Sequence, residues 1–140
     1  MKDSIKRKSV SNITFVAPMP RSDLLNFYKK ADILFLHLND HECFKKVLPS
    51  KIFEYAATKK PIIAGVSGYS ETFLTENVEG AFCFPPCNAD KALLAFEKAS
   101  EISSYKRQNF LKRFERRRIM NELAKKIIRM GSKQKSTASR

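Results

Sequence analysis

The sequence predicts an α/β fold, a parallel sheet carrying helices on both faces. Two observations carry that expectation. Short apolar runs of buried-strand length alternate with segments whose apolar residues recur every three or four positions, and the alternation repeats four times before the chain turns wholly helical. With 140 residues, 43% of them hydrophobic, there is material for one packed core, which is short for an enzyme that closes two domains around two substrates.

Residues 1–11 are polar and show no pattern longer than a turn. Residues 12–17, NITFVA, are rich in β-branched and aromatic side chains and are closed by Pro18 and Pro20, as in a short buried strand. Ser22 is positioned to cap a helix with Leu24, Leu25, Tyr28 and Ala31 on one face. After Asp32, ILFLHL reads as a second strand, and residues 39–48 as a polar loop containing His41, Glu42 and two lysines. Pro49 and Ser50 open a helix that runs to about Thr58. PIIAGV is the third strand, ended by Ser67 and Gly68. A short helix over residues 70–76 leads to a fourth strand, GAFCF, which Pro85 and Pro86 stop. Asn88 caps the next helix, whose apolar side is Leu93, Leu94, Phe96 and Ala99. Ser103 or Ser104 begins one or two further helices, in which Phe110, Phe114, Ile119, Leu123, Ile127 and Met130 recur at helical intervals. Residues 131–140, small and polar, read as a disordered basic tail.

The charge is uneven. The net charge is +13, and residues 101–140 hold thirteen Lys and Arg against three Glu, so most of the excess lies in the last forty residues. Such a segment attracts polyanions, whether nucleic acid, an anionic membrane or phosphorylated substrates, and it also suits a solvated helical face. Cys43, Cys83 and Cys87 match neither a zinc ribbon nor a redox pair and fit reduced thiols of a cytoplasmic protein. No apolar stretch approaches the roughly eighteen residues that span a bilayer, and no signal-peptide segment follows the basic start. The expected location is the cytoplasm, with the inner face of the membrane as a possible point of contact.

In parallel sheets ligands bind beyond the carboxyl ends of the strands, often where the following helix begins. That directs attention to the helix at Ser50. Pro49 suits the first turn because it has no amide hydrogen to leave unpaired, and Ser50 and Lys51 then present free amides where the helix dipole is positive. Lys51 adds a cation, with Lys45 and Lys46 just upstream. Glu54 projects from the same face one turn on, roughly 5–6 Å from Ser50. A diphosphate at the helix start would leave its ribose hydroxyls beside that carboxylate. On spacing alone, the same residues also suit an ordinary helix.

The run LPSKIFEYAATKKPIIAGVSGYS resembles the corresponding stretch of family-4 glycosyltransferases with the GT-B fold, where a helix ending Glu-x-(Ala/Met)-Ala-x-Gly-x-Pro precedes an apolar strand. Leu-Pro-Ser-Lys before Phe-Glu-Tyr is similar to transferases of bacterial surface-polysaccharide assembly. NITFVAPMPRSDLLNFYKKADILFLHL is similar to the family's Asn-x-x-Phe-x-Gly-x-x-Pro segment and Ala-Asp-apolar strand, and FERRRIMNELAKKI resembles its closing helix.

The resemblance implies a Rossmann-like, partial GT-B carboxy-terminal domain over residues 12–130, truncated at its start, which binds a nucleotide diphosphate sugar. Glu54 matches the second glutamate of the family's pair, implied to hold the ribose. The first falls at Lys46, where a lysine favours a phosphate or an acidic group. Ser50 and Lys51 match the backbone at the diphosphate. Ala17 and Pro18 match the segment near the base, with Ala17 in place of a usual glycine. The acceptor domain and the glycine-rich turn that opens the donor domain are not found in this chain, so no catalytic base is assigned and a partner chain carrying the amino-terminal half is one expectation.

Other residues have two readings each. His37, His41 and Cys43 could be imagined as metal ligands, but a strand at His37 sets the two histidines apart, and a core histidine and a loop histidine are expected instead. Glu71, in a first helical turn, either touches the donor sugar or complements the helix dipole. No metal or cofactor is expected. Three functions follow in order: sugar transfer from a nucleotide diphosphate donor to a hydroxyl acceptor; nucleotide binding without catalysis, in a remnant or subunit; and, last, nucleic-acid binding by the basic segment, which no recognised motif accompanies. An anionic membrane explains that charge at least as well and would suit a lipid-linked acceptor.

Overall fold

A computed structural model of the chain describes residues 11–137, with side chains to residue 130. Most of the expected irregular start, residues 1–11, lies outside the described residues. Among those described, three parallel strands form one open sheet in the order β1-β2-β3: β1 is Leu34–His37, β2 is Ile62–Gly65 and β3 is Ala81–Phe84. Leu34 pairs with Ile62 and Ile62 with Ala81, so the register runs straight across.

All four residues of β2 are buried, as a central strand covered on both faces requires. Ile62 and Ala64 face one core with Ile52, Ala56, Leu74 and Val78, and Ile63 faces the other with Phe84, Ala95 and Ala99. The first face is covered by helices α1 (Arg21–Lys30), α2 (Lys51–Ala57), α3 (Tyr69–Asn77) and α5 (Gln108–Phe114); the second by α4 (Ala89–Ser100). The expected Rossmann-like α/β architecture is therefore present. Gly65 ends β2 where the rings of His37 and Phe84 converge from both sides: a Cβ there would meet them at 2.4 and 2.7 Å.

Several expectations are corrected. Residues 12–17 are exposed and do not join the sheet; β-propensity describes fit to a pleated, half-buried surface, and without a place in the ladder it does not make a strand. Ser22 is not a cap. Helix α1 begins one residue earlier, at Arg21, because the extended Pro20 offers its carbonyl to the amides of Asp23 and Leu24, both at 3.1 Å. Within the expected loop 39–48, Glu42–Lys46 form a 3-10 turn closed by Phe44 N–H on the His41 carbonyl. Asn88 caps α4 as expected, its side chain accepting from the Lys91 amide at 3.0 Å.

Neither Ser103 nor Ser104 starts a helix. Residues 101–107 are instead held across the amino ends of the strands: the Tyr105 amide donates to the Lys59 carbonyl at 2.8 Å, and its ring lies so close to Gly80 that a Cβ there would stand 2.3 Å away. Arg107 then turns inward, only 3% exposed, and α5 begins after it. Its guanidinium donates to the carbonyls of Glu79 at 2.6 Å, Lys60 at 2.9 Å and Ala56 at 3.4 Å. Burial lowers its pKa to about 10, which leaves it charged at neutral pH. From α5, Phe110 and Phe114 meet each other, Phe53 of α2 and Phe73 of α3 in tilted and edge-on contacts, the ring centroids 4.7–6.4 Å apart. The final helix, α6 (Arg116–Thr137), runs on into the segment expected as a tail.

Replacing Arg107 by alanine strands three carbonyls. We expect Arg107→Ala to cost roughly 3–5 kcal/mol in chemical denaturation, and Arg107→Lys to recover only part of it because one ammonium cannot fork to three oxygens. A cost within experimental error would refute the clamp. The thiols give a second check. Burial raises Cys83 to about 11, whereas Cys43 and Cys87 are exposed. A thiol reagent at mildly alkaline pH should label Cys43 and Cys87 quickly and the half-buried Cys83 much more slowly; equal rates at all three would contradict this packing.

Candidate functional site

The amino ends of the strands are closed by the Tyr105–Arg107 segment, and the carboxyl ends open into the loops that start α2, α3 and α4. The first two loops are locked together. Gly68 has φ +64°, and a Cβ on it would stand 2.5 Å from the Lys45 carbonyl, so only glycine lets the two backbones meet. The buried Ser70 hydroxyl donates to the Val47 carbonyl. The 3-10 turn bearing Lys45 and Lys46 is thereby set against the start of α3.

Lys51 and Glu54 lie in the first turn of α2, and Ser50 is its N-cap residue. The amides of Ile52 and Phe53 bond to the carbonyls of Pro49 and Ser50, while those of Ser50 and Lys51 have no backbone acceptor among the described residues. The carboxylate of Glu54 sits between two cations: Lys51 Nζ at 3.9 Å from one oxygen and Arg21 at 3.7 Å from the other. Lys51 Nζ also donates to the Tyr28 hydroxyl at 2.8 Å and lies 5.4 Å from the centre of that ring. The hydrogen bond to Tyr28, foremost, raises the pKa of Lys51, so the ammonium form persists well past neutrality. Tyr28 meets Tyr55 edge-on at 5.1 Å, and the Tyr55 hydroxyl donates to the Phe35 carbonyl at 3.3 Å. Burial, foremost, raises the pKa of Tyr55, which stays neutral.

Chemically, this is a half-buried carboxylate flanked by two cations, neither at close hydrogen-bond range, so its oxygens keep lone pairs for hydroxyl donors. Lys51 spends one of three donors on Tyr28 and keeps two. Both groups stand on the side of the sheet where the strands end.

The predicted residues are placed unequally. Lys51 and Glu54 are brought together, with Ser50 one turn before Glu54. Lys46 ends the 3-10 turn, exposed, while its neighbour Lys45 pairs with Glu42. Glu71 is exposed in the first turn of α3, and its charge contributes to the raised pKa of Cys83. Ala17 and Pro18 lie exposed in the segment leading into α1. His37 is corrected from a core residue to an exposed one. Its Nε2 accepts the Cys87 amide at 3.0 Å, and its ring lies parallel to that of Phe35, 6.2 Å away, beside a cavity of about 260 Å³. Among the described residues no group of three His, Cys, Asp or Glu side chains is placed to hold a metal.

Arg21 and Tyr28 were missed as site residues. The signal was there in part: Arg21, Leu24 and Tyr28 share one face of α1 at helical spacing, and a tyrosine on an apolar face brings a hydroxyl that must find a partner.

The model of the glycosyl transferases group 1 family matches residues 1–130. No curated protein and no solved structure matches the chain significantly.

Proposed function

The chain belongs to the group 1 glycosyl transferases, and we propose that Ser50, Lys51 and Glu54, with Arg21, form its site for the nucleotide of a sugar donor. The observation that carries this reading is Glu54, held between Lys51 and Arg21 at the carboxyl edge of a parallel sheet. An ionised carboxylate so placed accepts hydrogen bonds from both hydroxyls of a ribose. The amides of Ser50 and Lys51, which have no backbone acceptor among the described residues, take the adjoining diphosphate together with the Lys51 ammonium. Lys46 meets a phosphate or an acidic group of the donor, Glu71 a sugar hydroxyl, and Ala17 and Pro18 border the base.

The reaction is transfer of the sugar to a hydroxyl acceptor in polysaccharide or glycoconjugate synthesis. The bond from the anomeric carbon to the diphosphate oxygen breaks with its electron pair going to the diphosphate, and a bond from that carbon to the acceptor oxygen forms as the acceptor loses its proton. Negative charge therefore grows on the leaving diphosphate, where donors and cations already fixed in place stabilise it without a metal. A second reading, binding without turnover in a chain completed by a partner, is favoured by one feature: among the described residues no strand pairs with the outer edge of β1, beside which Phe35 is 56% exposed. Release of free sugar or transfer by the chain alone would exclude it.

The test is calorimetric titration of uridine and guanosine diphosphates into the parent chain and Glu54→Ala. Loss of two hydroxyl bonds to a charged acceptor should weaken binding by about tenfold or more, with circular dichroism unchanged. Equal affinity in the two chains would remove the site's main residue.

A further inference from the structure

The outer side of α3 meets α5 in a groove of about 480 Å³ that the donor site does not use, a size within the roughly 300–1,000 Å³ of small-molecule sites. Residues 69, 72, 73, 76 and 77 recur at intervals of three and four, so they share one face of α3. Tyr69 and Phe73 supply an aromatic wall, 6.5 Å apart and tilted by 45°, and Phe114 of α5 extends it, meeting Phe73 edge-on at 5.3 Å. Phe73 is 9% exposed and belongs to the core, whereas Tyr69 is 56% exposed at the mouth of the groove.

The polar groups of the same groove are set in place by the fold. Asn77 donates from Nδ2 to the Phe73 carbonyl at 2.9 Å and accepts Arg113 Nη1 at 2.8 Å. That bond orients the Arg113 guanidinium, which lies 5.2 Å from the centre of the Phe114 ring and keeps further N–H donors. Glu76 is exposed and makes no ion pair among the described residues, with Arg113 or any other cation.

This lining selects a chemistry. Glu76 repels an anion and Arg113 repels a cation, so a charged ligand meets one unfavourable neighbour whatever its sign. A neutral ligand whose groups both donate and accept satisfies the two at once, and hydroxyls do both. The aromatic wall requires that the same ligand also present an apolar face. A sugar ring has that pair of features: its C–H bonds form an apolar face, and its hydroxyls project from the rim. From Tyr69 to Asn77 is about 12 Å at 1.5 Å per residue, room for a disaccharide. Because α3 starts where β2 ends and finishes before β3 begins, the groove runs from the carboxyl edge of the sheet down its flank.

We propose that the groove between α3 and α5 binds a neutral oligosaccharide, with a sugar ring on Tyr69 and its hydroxyls on Glu76 and Arg113. The probes are maltotriose, cellotriose and mannotriose, with trigalacturonate as the acidic counterpart. No nucleotide is present in the test, so its outcome is independent of the donor site.

Saturation-transfer NMR should show at least one neutral trisaccharide bound to the full chain, and its amide shift changes should centre on Tyr69, Thr72, Glu76, Asn77 and Arg113. Tyr69→Ala, at an exposed position whose change leaves circular dichroism intact, should bind at least about fivefold more weakly. Tyr69→Phe should keep most of the affinity, because the ring face carries the contact. Glu76→Gln should admit trigalacturonate, which the parent rejects. No transfer to any of the three neutral sugars, shift changes outside the groove, or undiminished binding by Tyr69→Ala would overturn the proposal. So would stronger binding of trigalacturonate than of the neutral sugars by the parent, or sedimentation showing a dimer that Tyr69→Ala dissolves.

Discussion

Arg107 sends its guanidinium to carbonyls at the end of α2, in the turn before β2 and in the turn before β3, and the rest of the architecture follows from that convergence. Each of those carbonyls belongs to a helix end or a loop that the parallel topology brings to the amino ends of the strands, where backbone polar groups have no ladder to join. One forked donor serves all three, which a lysine could not do. The arrangement ties α2 to the starts of β2 and β3, and it fixes where α5 begins. The phenylalanine cluster between α2, α3 and α5 then closes the same side of the sheet.

This places the clamp and the proposed donor site at opposite ends of the strands. At the amino ends, polar groups are consumed within the fold. At the carboxyl ends, the side chains of Lys46, Ser50, Lys51 and Glu54 remain at or near the surface, set in position by Gly68 against Lys45 and by Ser70 on Val47. Glu54 in particular is neither free nor tightly bonded. The two cations stand 3.7 and 3.9 Å away without occupying its lone pairs, the arrangement that the proposed ribose contact calls for.

What the sequence made legible was what short spacing controls. β2 is a continuous apolar run and is buried throughout; Asn88 precedes a helix and caps it; Ser50 and Glu54 lie one turn apart and share a face. The misses share a different cause. Residues 12–17 have strand composition, but whether they join a sheet depends on distant chain. Ser22 and Ser103 are good caps that lost to a proline carbonyl and to the pinning of Tyr105 and Arg107 across the sheet. Arg21 and Tyr28 entered the site only because α1 packs on α2, a contact between residues 23 and more positions apart. Local preference proposes such elements, and long-range polar contacts decide among them.

The central claim is that a nucleoside diphosphate sits at the junction of α1, α2 and the Gly68 loop. Amide shift mapping by NMR, with uridine or guanosine diphosphate added to the labelled chain, tests it most directly. The account predicts that the largest perturbations fall on Ser50, Lys51, Glu54, Arg21 and Gly68 and leave Arg107 and Tyr105 unmoved. Perturbations confined to helix α6, or to the amino ends of the strands, would contradict it.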